Sequence, residues 1–239
     1  MPQNLLKNIL LSIIILTITA CSTSPLVPNP PQNTKPANNL PSTAQNGWWA
    51  ARFGIKWDKK NKEPDWYIGA FIANEIVAPS LEQFKQEISL WRFHRRAARD
   101  NAGHQFSFLF YSSPETAKRV YAKIKSEQIL AKLKQAGLII RDSYDNPETL
   151  NKPNIEDTSD KSWSISVQKA WPYFIMGASQ LWLELIKEKG KSPATLTQKV
   201  AHYKQVTKLL RELWKEEAKH AFFHHLNAIF SYAPMNVRF

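Results

Sequence analysis

Apolar and polar positions alternate from Trp48 onward: in WWAARFGIKW, Trp49, Ala51, Phe53, Ile55 and Trp57 share one face, with Arg52 and Lys56 on the other. A period of two marks a half-buried strand. The polar DKKNKEPD predicts a turn, and WYIGAFIANEIV after it is apolar on both faces, which predicts an interior strand paired with the first as a hairpin. Ser80 and Gln83 have capping-box spacing and predict a short helix, SLEQFKQEI. Alternation returns in SLWRFHRRA and HQFSFLFYS, joined through RDNAG as a second hairpin. Pairing Ala97 with His104 sets Trp91 against Phe110, Phe93 against Phe108 and Arg95 against Phe106, a register that matches the core face.

Helical signals dominate the rest. Ser113 as N-cap, Pro114 in the first turn and Gly137 as stop predict a helix, and LIIRDSY one more strand. After a polar loop, Pro172 suits the first turn of a helix ending near Lys189, and Ser192 with Pro193 opens a longer one. The expected fold is α+β: an antiparallel sheet built from two hairpins with helices on one face, followed by a C-terminal αα-hairpin. Residues 48–239 make a single domain, with a sheet part (48–143), a loop (144–162) and a helical part (163–239).

Before residue 48 the pattern differs. MPQNLLKNILLSIIILTITA has one lysine, an apolar run too short to span a bilayer comfortably, then small residues, the layout of a secretory signal over residues 1–20. Its end, LTITAC, places Ile18, Thr19 and Ala20 before Cys21, the chain's single cysteine. This resembles the lipobox of bacterial lipoproteins. The resemblance covers the export signal alone and implies a lipidated Cys21 as the acylated N-terminus. Ser22 in place of aspartate after that cysteine implies a lipid-anchored protein of the cell outer membrane, facing the periplasm. Residues 21–47 carry six prolines and few bulky apolar residues, a composition that makes a tether able to extend to about 80 Å. A lone cysteine leaves no disulfide, CxxC pair or thiol nucleophile for the domain.

Charge then narrows the partners. The net charge is +12, and loss of Lys7 with the signal lowers it to +11. In the envelope, the expected partners besides the membrane are anions, such as lipid phosphate, lipopolysaccharide or peptidoglycan, or a partner protein, and not nucleic acid. Strand parity puts Arg92, His94 and Arg96 opposite the core face beside Gln105, Ser107 and Tyr111, with Arg99 in the turn. Such a row can cradle an anion, or it pairs with Asp157 or Asp160 of the loop.

The stretch KEEAKHAFFHHLNAIF spaces Glu216, His220 and His224 at i, i+4 and i+8, the spacing of weak metal-ligand candidates that drift about 40° per step. At about 100° per residue His225 joins the apolar stripe, while Glu217 and His224 share a flank as a candidate acid/base pair. No nucleophile elbow, phosphate-binding glycine loop or HExxH is present, and no cofactor or resident metal is expected. The expectation is a binding or structural domain of a lipid-anchored envelope protein. The alternatives are an envelope hydrolase using the Arg/His sheet face or the Glu/His helix, and a subunit of an envelope assembly.

Overall fold

The computed structural model describes residues 45–58, 60, 63–189 and 193–232. The signal, Cys21 and nearly all of the tether lie outside the described residues, as does Ser192. The elements described belong to one compact unit, Thr43–Phe239.

Four strands, β1 (Gly47–Ile55), β2 (Leu90–Ala97), β3 (His104–Ser112) and β4 (Ile139–Tyr144), form an antiparallel sheet in the order β2-β3-β1-β4. The fold is α+β, as expected, and the β2–β3 hairpin has the predicted register, Ala97 facing His104 and Phe93 facing Phe108. β1 lies between β3 and β4, with Trp49 against Phe110 and Phe53 against Phe106. Trp49, Phe53, Phe106, Phe108 and Phe110 are almost wholly buried. Each such side chain contributes about 2–3 kcal/mol by leaving water.

The first hairpin is not formed. The segment predicted as its second strand is helical: α1 (Tyr67–Ile72), a π-helical turn (Ala73–Val77) and α2 (Ala78–Phe84) run on without a break. A run apolar all round suits a helix buried on every side as well as an interior strand. Ile68, Phe71, Ile72 and Ile76 are fully buried between the sheet and the later helices. Ser80, expected as a cap, lies inside this helical run, and its hydroxyl donates to Ile76 O at 3.4 Å.

α3 (Pro114–Ser126) is capped as predicted, Ser113 Oγ accepting from Thr116 N. The chain then breaks at Glu127 before α4 (Gln128–Gln135), and Gly137 at φ +67° reverses it into β4. α5 (Ile165–Glu188) starts at the Ser164 cap, well before Pro172, which stands buried inside the helix. Proline has no N–H to give the carbonyl four residues back. Ser159 supplies the missing donor, its Oγ giving a 2.6 Å bond to Gln168 O. α5 also shields the free edge of β2, since Ser179 Oγ accepts from Phe93 N at 3.0 Å.

α6 (Leu196–Leu213) opens at Thr195 with a capping box to Gln198, three residues beyond Ser192. Another π-helical turn (Trp214–Ala218) leads into α7 (Lys219–Ile229). α6 packs on α1 through Tyr203, stacked on Phe71 at 4.6 Å. Below that contact Glu75 accepts from Tyr203 Oη at 2.6 Å and pairs with Lys199 at 2.5 Å, while Asn74 donates to Tyr203 Oη at 2.8 Å.

Candidate functional site

The sheet face opposite the main core carries the predicted basic row. Its Trp48 end is covered by the loop before α5: Trp48 Nε1 donates to Ile155 O at 2.8 Å and Tyr111 Oη to Pro153 O at 2.6 Å. The rest of the row is largely self-satisfied. Arg96 forms a two-point pair with Asp100, at 2.6 and 3.1 Å, and Arg99 lies 3.5 Å over the Trp57 ring. Arg52, on the same face, pairs with Asp145 at 2.6 Å. Arg92 donates to Thr158 O at 3.2 Å, and its Nε is buried with no hydrogen-bond partner. The loop carboxylates weighed as partners serve their own loop, Asp157 pairing with Lys161 and Asp160 accepting from Ser162. His94 stands at the strand surface, where desolvation of the ring, with Arg92 and Arg96 alongside, lowers its pKa.

The histidine-rich end of the chain does not assemble a site. Glu216, Glu217, His220, His224 and His225 are all exposed. His225 leaves the core stripe because the π-helical turn adds a residue to the helical repeat: Tyr203 and Val206 are buried, and Ala218, not residue 217, continues their line. His224 stacks on His220 at 5.7 Å and meets Tyr232 at 5.5 Å, but no hydrogen bond or ion pair joins it to Glu217 or His94 among the described residues. No group of three or more histidine, cysteine or acidic side chains able to hold a metal occurs among the described residues, so Glu216, His220 and His224 do not converge as ligands.

A cationic cluster does form where α6 meets the start of α1. Arg95 stands at a core-facing position of β2, opposite Phe106. Its guanidinium lies 4.9 Å from the Trp66 ring and 4.8 Å from the Trp182 ring, and Nη2 donates to Trp66 O at 2.8 Å. Burial and the nearby Arg211 bring its pKa down to about 10, so it stays charged at pH 7, and no carboxylate pairs with it among the described residues. Next to it, a cleft of about 450 Å³ is lined by Trp66, Tyr67, Lys204, Lys208 and Glu212. A second cleft of about 290 Å³ continues past Arg95 between Trp182, Leu185, Leu210, Leu213 and Trp214. Thr207, Arg211 and Lys215 line both.

Among the described residues, three carboxylates stand at this site. Glu63 pairs with Arg211 at 3.1 Å, Glu212 lies 3.9 Å from Lys208, and Asp65 lines the larger cleft. Both ion pairs are solvent-exposed, of the kind that contributes at most about 1 kcal/mol and yields to a better anion. Lys204 lies 5.1 Å from the Tyr67 ring, whose hydroxyl is pushed up to about 12 by burial and Asp65. Among the described residues, five cations therefore face three carboxylates around a pair of joined clefts. Thr207 Oγ1, at the junction, is buried without a hydrogen-bond partner.

The sequence carries a signal for this site that strand and helix patterning alone does not single out. Lys204, Lys208, Arg211 and Lys215 recur at i, i+4, i+7 and i+11, one face of a helix. Strand parity also sets Arg95 on the phenylalanine face, where a cation needs an explanation.

No family model and no curated protein matches the chain. Among solved structures, the crystal structure of TsrL shares 14% identity at a TM-score of 0.37, covering 60% of this chain and 35% of that one. The chain thus spans about a third of that protein's length, and a likeness this slight carries no argument about fold or function.

Proposed function

We propose that the protein is a lipid-anchored lipoprotein of the cell outer membrane whose periplasmic domain binds an anionic envelope component in the cleft beside α6. The LTITAC sequence and the proline-rich segment after Cys21 support the anchor and tether. The observation that carries the binding role is the basic stripe Lys204, Lys208, Arg211 and Lys215, gathered over Arg95 and outnumbering the carboxylates beside it. The sheet-face row is the weaker candidate, since Arg96, Arg99 and Arg52 already have partners. A hydrolase reading has less support, because Glu217 and His224 are exposed and unjoined. A protein partner is the second reading, favoured by Ile165, Val167, Tyr173 and Phe174, exposed along α5.

The Thr43–Phe239 unit is expected to sediment with phosphatidylglycerol vesicles and not with phosphatidylcholine vesicles. Retention falls as salt rises from about 0.1 M to about 1 M, which shortens the screening length from about 10 to about 3 Å. Replacing Lys208 and Arg211 with glutamate lowers retention roughly tenfold or more, because like charge then faces the lipid phosphates. Retention that ignores both salt and the substitutions contradicts anion recognition at this cleft.

A further inference from the structure

Two features of the α6 site exceed what a simple inorganic anion needs. The cationic cleft opens into an apolar one, walled by Trp182, Leu185, Leu210, Leu213 and Trp214, and the two share Thr207, Arg211 and Lys215. The Arg95 guanidinium also stands at that boundary, its bond to Trp66 O using one of its five N–H groups, beside Thr207, whose hydroxyl is buried and unpartnered. A ligand that satisfies both halves has an anionic head at the junction and an apolar tail running away from it.

The dimensions limit the tail. A cleft of about 290 Å³ has room for on the order of ten groups of water size, at about 30 Å³ each. That is one alkyl chain of roughly ten carbons, not two. The head is better matched by phosphate than by carboxylate. A phosphate monoester carries between about 1.5 and 2 negative charges at pH 7 and offers three acceptor oxygens, against the cationic donors of Arg95, Arg211 and Lys215.

Resting on the anion-binding role, we propose that the α6 cleft binds a single-chain lipid phosphate, its head at the junction of Arg95, Thr207, Arg211 and Lys215 and its chain against Trp182, Leu213 and Trp214. Arg95 serves as a fixed positive floor, held in place by two indole rings. Arg211, exposed on α6, and Lys215, exposed on the π-helical turn after it, exchange their solvent contacts for the head.

The test places the full-length chain in phosphatidylcholine vesicles and adds dodecyl phosphate carrying a photoactivatable diazirine in mid-chain, with labelled peptides mapped by mass spectrometry. Labelling is expected within residues 182–185 and 210–218. Free dodecyl phosphate competes at least about 100-fold better than ethyl phosphate, because each buried methylene contributes several-fold in affinity. The exposed pair Arg211→Glu and Lys215→Glu, which leaves the core intact, reduces labelling roughly tenfold. Leu185→Trp, which fills the apolar cleft, reduces labelling while retention of the Thr43–Phe239 unit on phosphatidylglycerol vesicles stays salt-sensitive.

Labelling scattered over the exposed α5 aromatics overturns the proposal. So does equal labelling by the matching diazirine alcohol, or equal competition by dodecanoate. If any of these occurs while vesicle retention remains sensitive to salt and to the charge reversals, the lipid assignment fails and the anion-binding role stands. Loss of both defeats the role itself.

Discussion

Phe71→Ala is expected to destabilise the domain by about 3–5 kcal/mol, the range for emptying a phenylalanine-sized space in a packed core. Phe71 is fully buried and stacks on Tyr203 at 4.6 Å, so it bonds the sheet-covering helix to α6. Tyr203 cannot follow into the space left behind, because its hydroxyl is held between Glu75 and Asn74. Unfolding in urea checks this, with a shift of the midpoint at unchanged slope. A loss under about 1 kcal/mol contradicts the packing described.

The second large effect is acid sensitivity above the range where carboxylates titrate. His104 is buried against Trp57 and Trp66, its Nδ1 has no hydrogen-bond partner, and burial together with Arg95 takes its pKa down to about 4. In the unfolded chain the ring titrates near 6.5. Between these values the unfolded state binds the extra proton, so stability is full above about pH 6.5 and is lost as pH falls toward 4. The loss reaches about 3 kcal/mol, at about 1.4 kcal/mol for each unit of difference. His94, also lowered, acts in the same direction. Carboxylates with lowered pKa, among them Glu87 and Asp100, add their losses only below about pH 4.5. Thermal melts at pH 7 and pH 5 check the window. His104→Phe, close in volume and free of the unpaired nitrogen, is expected to flatten most of the dependence while changing stability at pH 7 by about 1 kcal/mol or less. An unaltered pH profile in that variant contradicts the assignment.

What was legible in the sequence follows from where local and tertiary forces agree. The β2–β3 register could be read because a one-residue slip would turn Trp91, Phe93, Phe106 and Phe108 into solvent. The Ser113 cap and the Gly137 stop are decided by their own side chains and backbone. Residues 67–77 were misread because a segment buried on all sides has no period to reveal. Pro172 was misplaced for a different reason: its tolerance inside α5 depends on Ser159, a donor supplied from outside the helix. The histidine face was misassigned because a wheel at constant pitch cannot anticipate the π-helical turn at Trp214–Ala218.

The candidate site divides in the same way. Parity placed Arg92, His94 and Arg96 correctly on one face, yet their partners Thr158 and Asp100 come from a loop and a turn. Which cations keep unspent charge is therefore a tertiary result. Arg95 and the α6 stripe retain it because the carboxylates that reach them are fewer and stand in solvent.

The most direct measurement is titration of the isotopically labelled Thr43–Phe239 unit with pyrophosphate, following backbone amides and arginine side-chain N–H resonances by NMR. Saturable shifts are expected at the Arg95 and Arg211 guanidinium groups and along residues 204–215 of α6 and the π-helical turn after it, with little change at Arg92 and Arg96. Shifts confined to the sheet-face arginines, or none that saturate, would contradict anion binding at the α6 cleft.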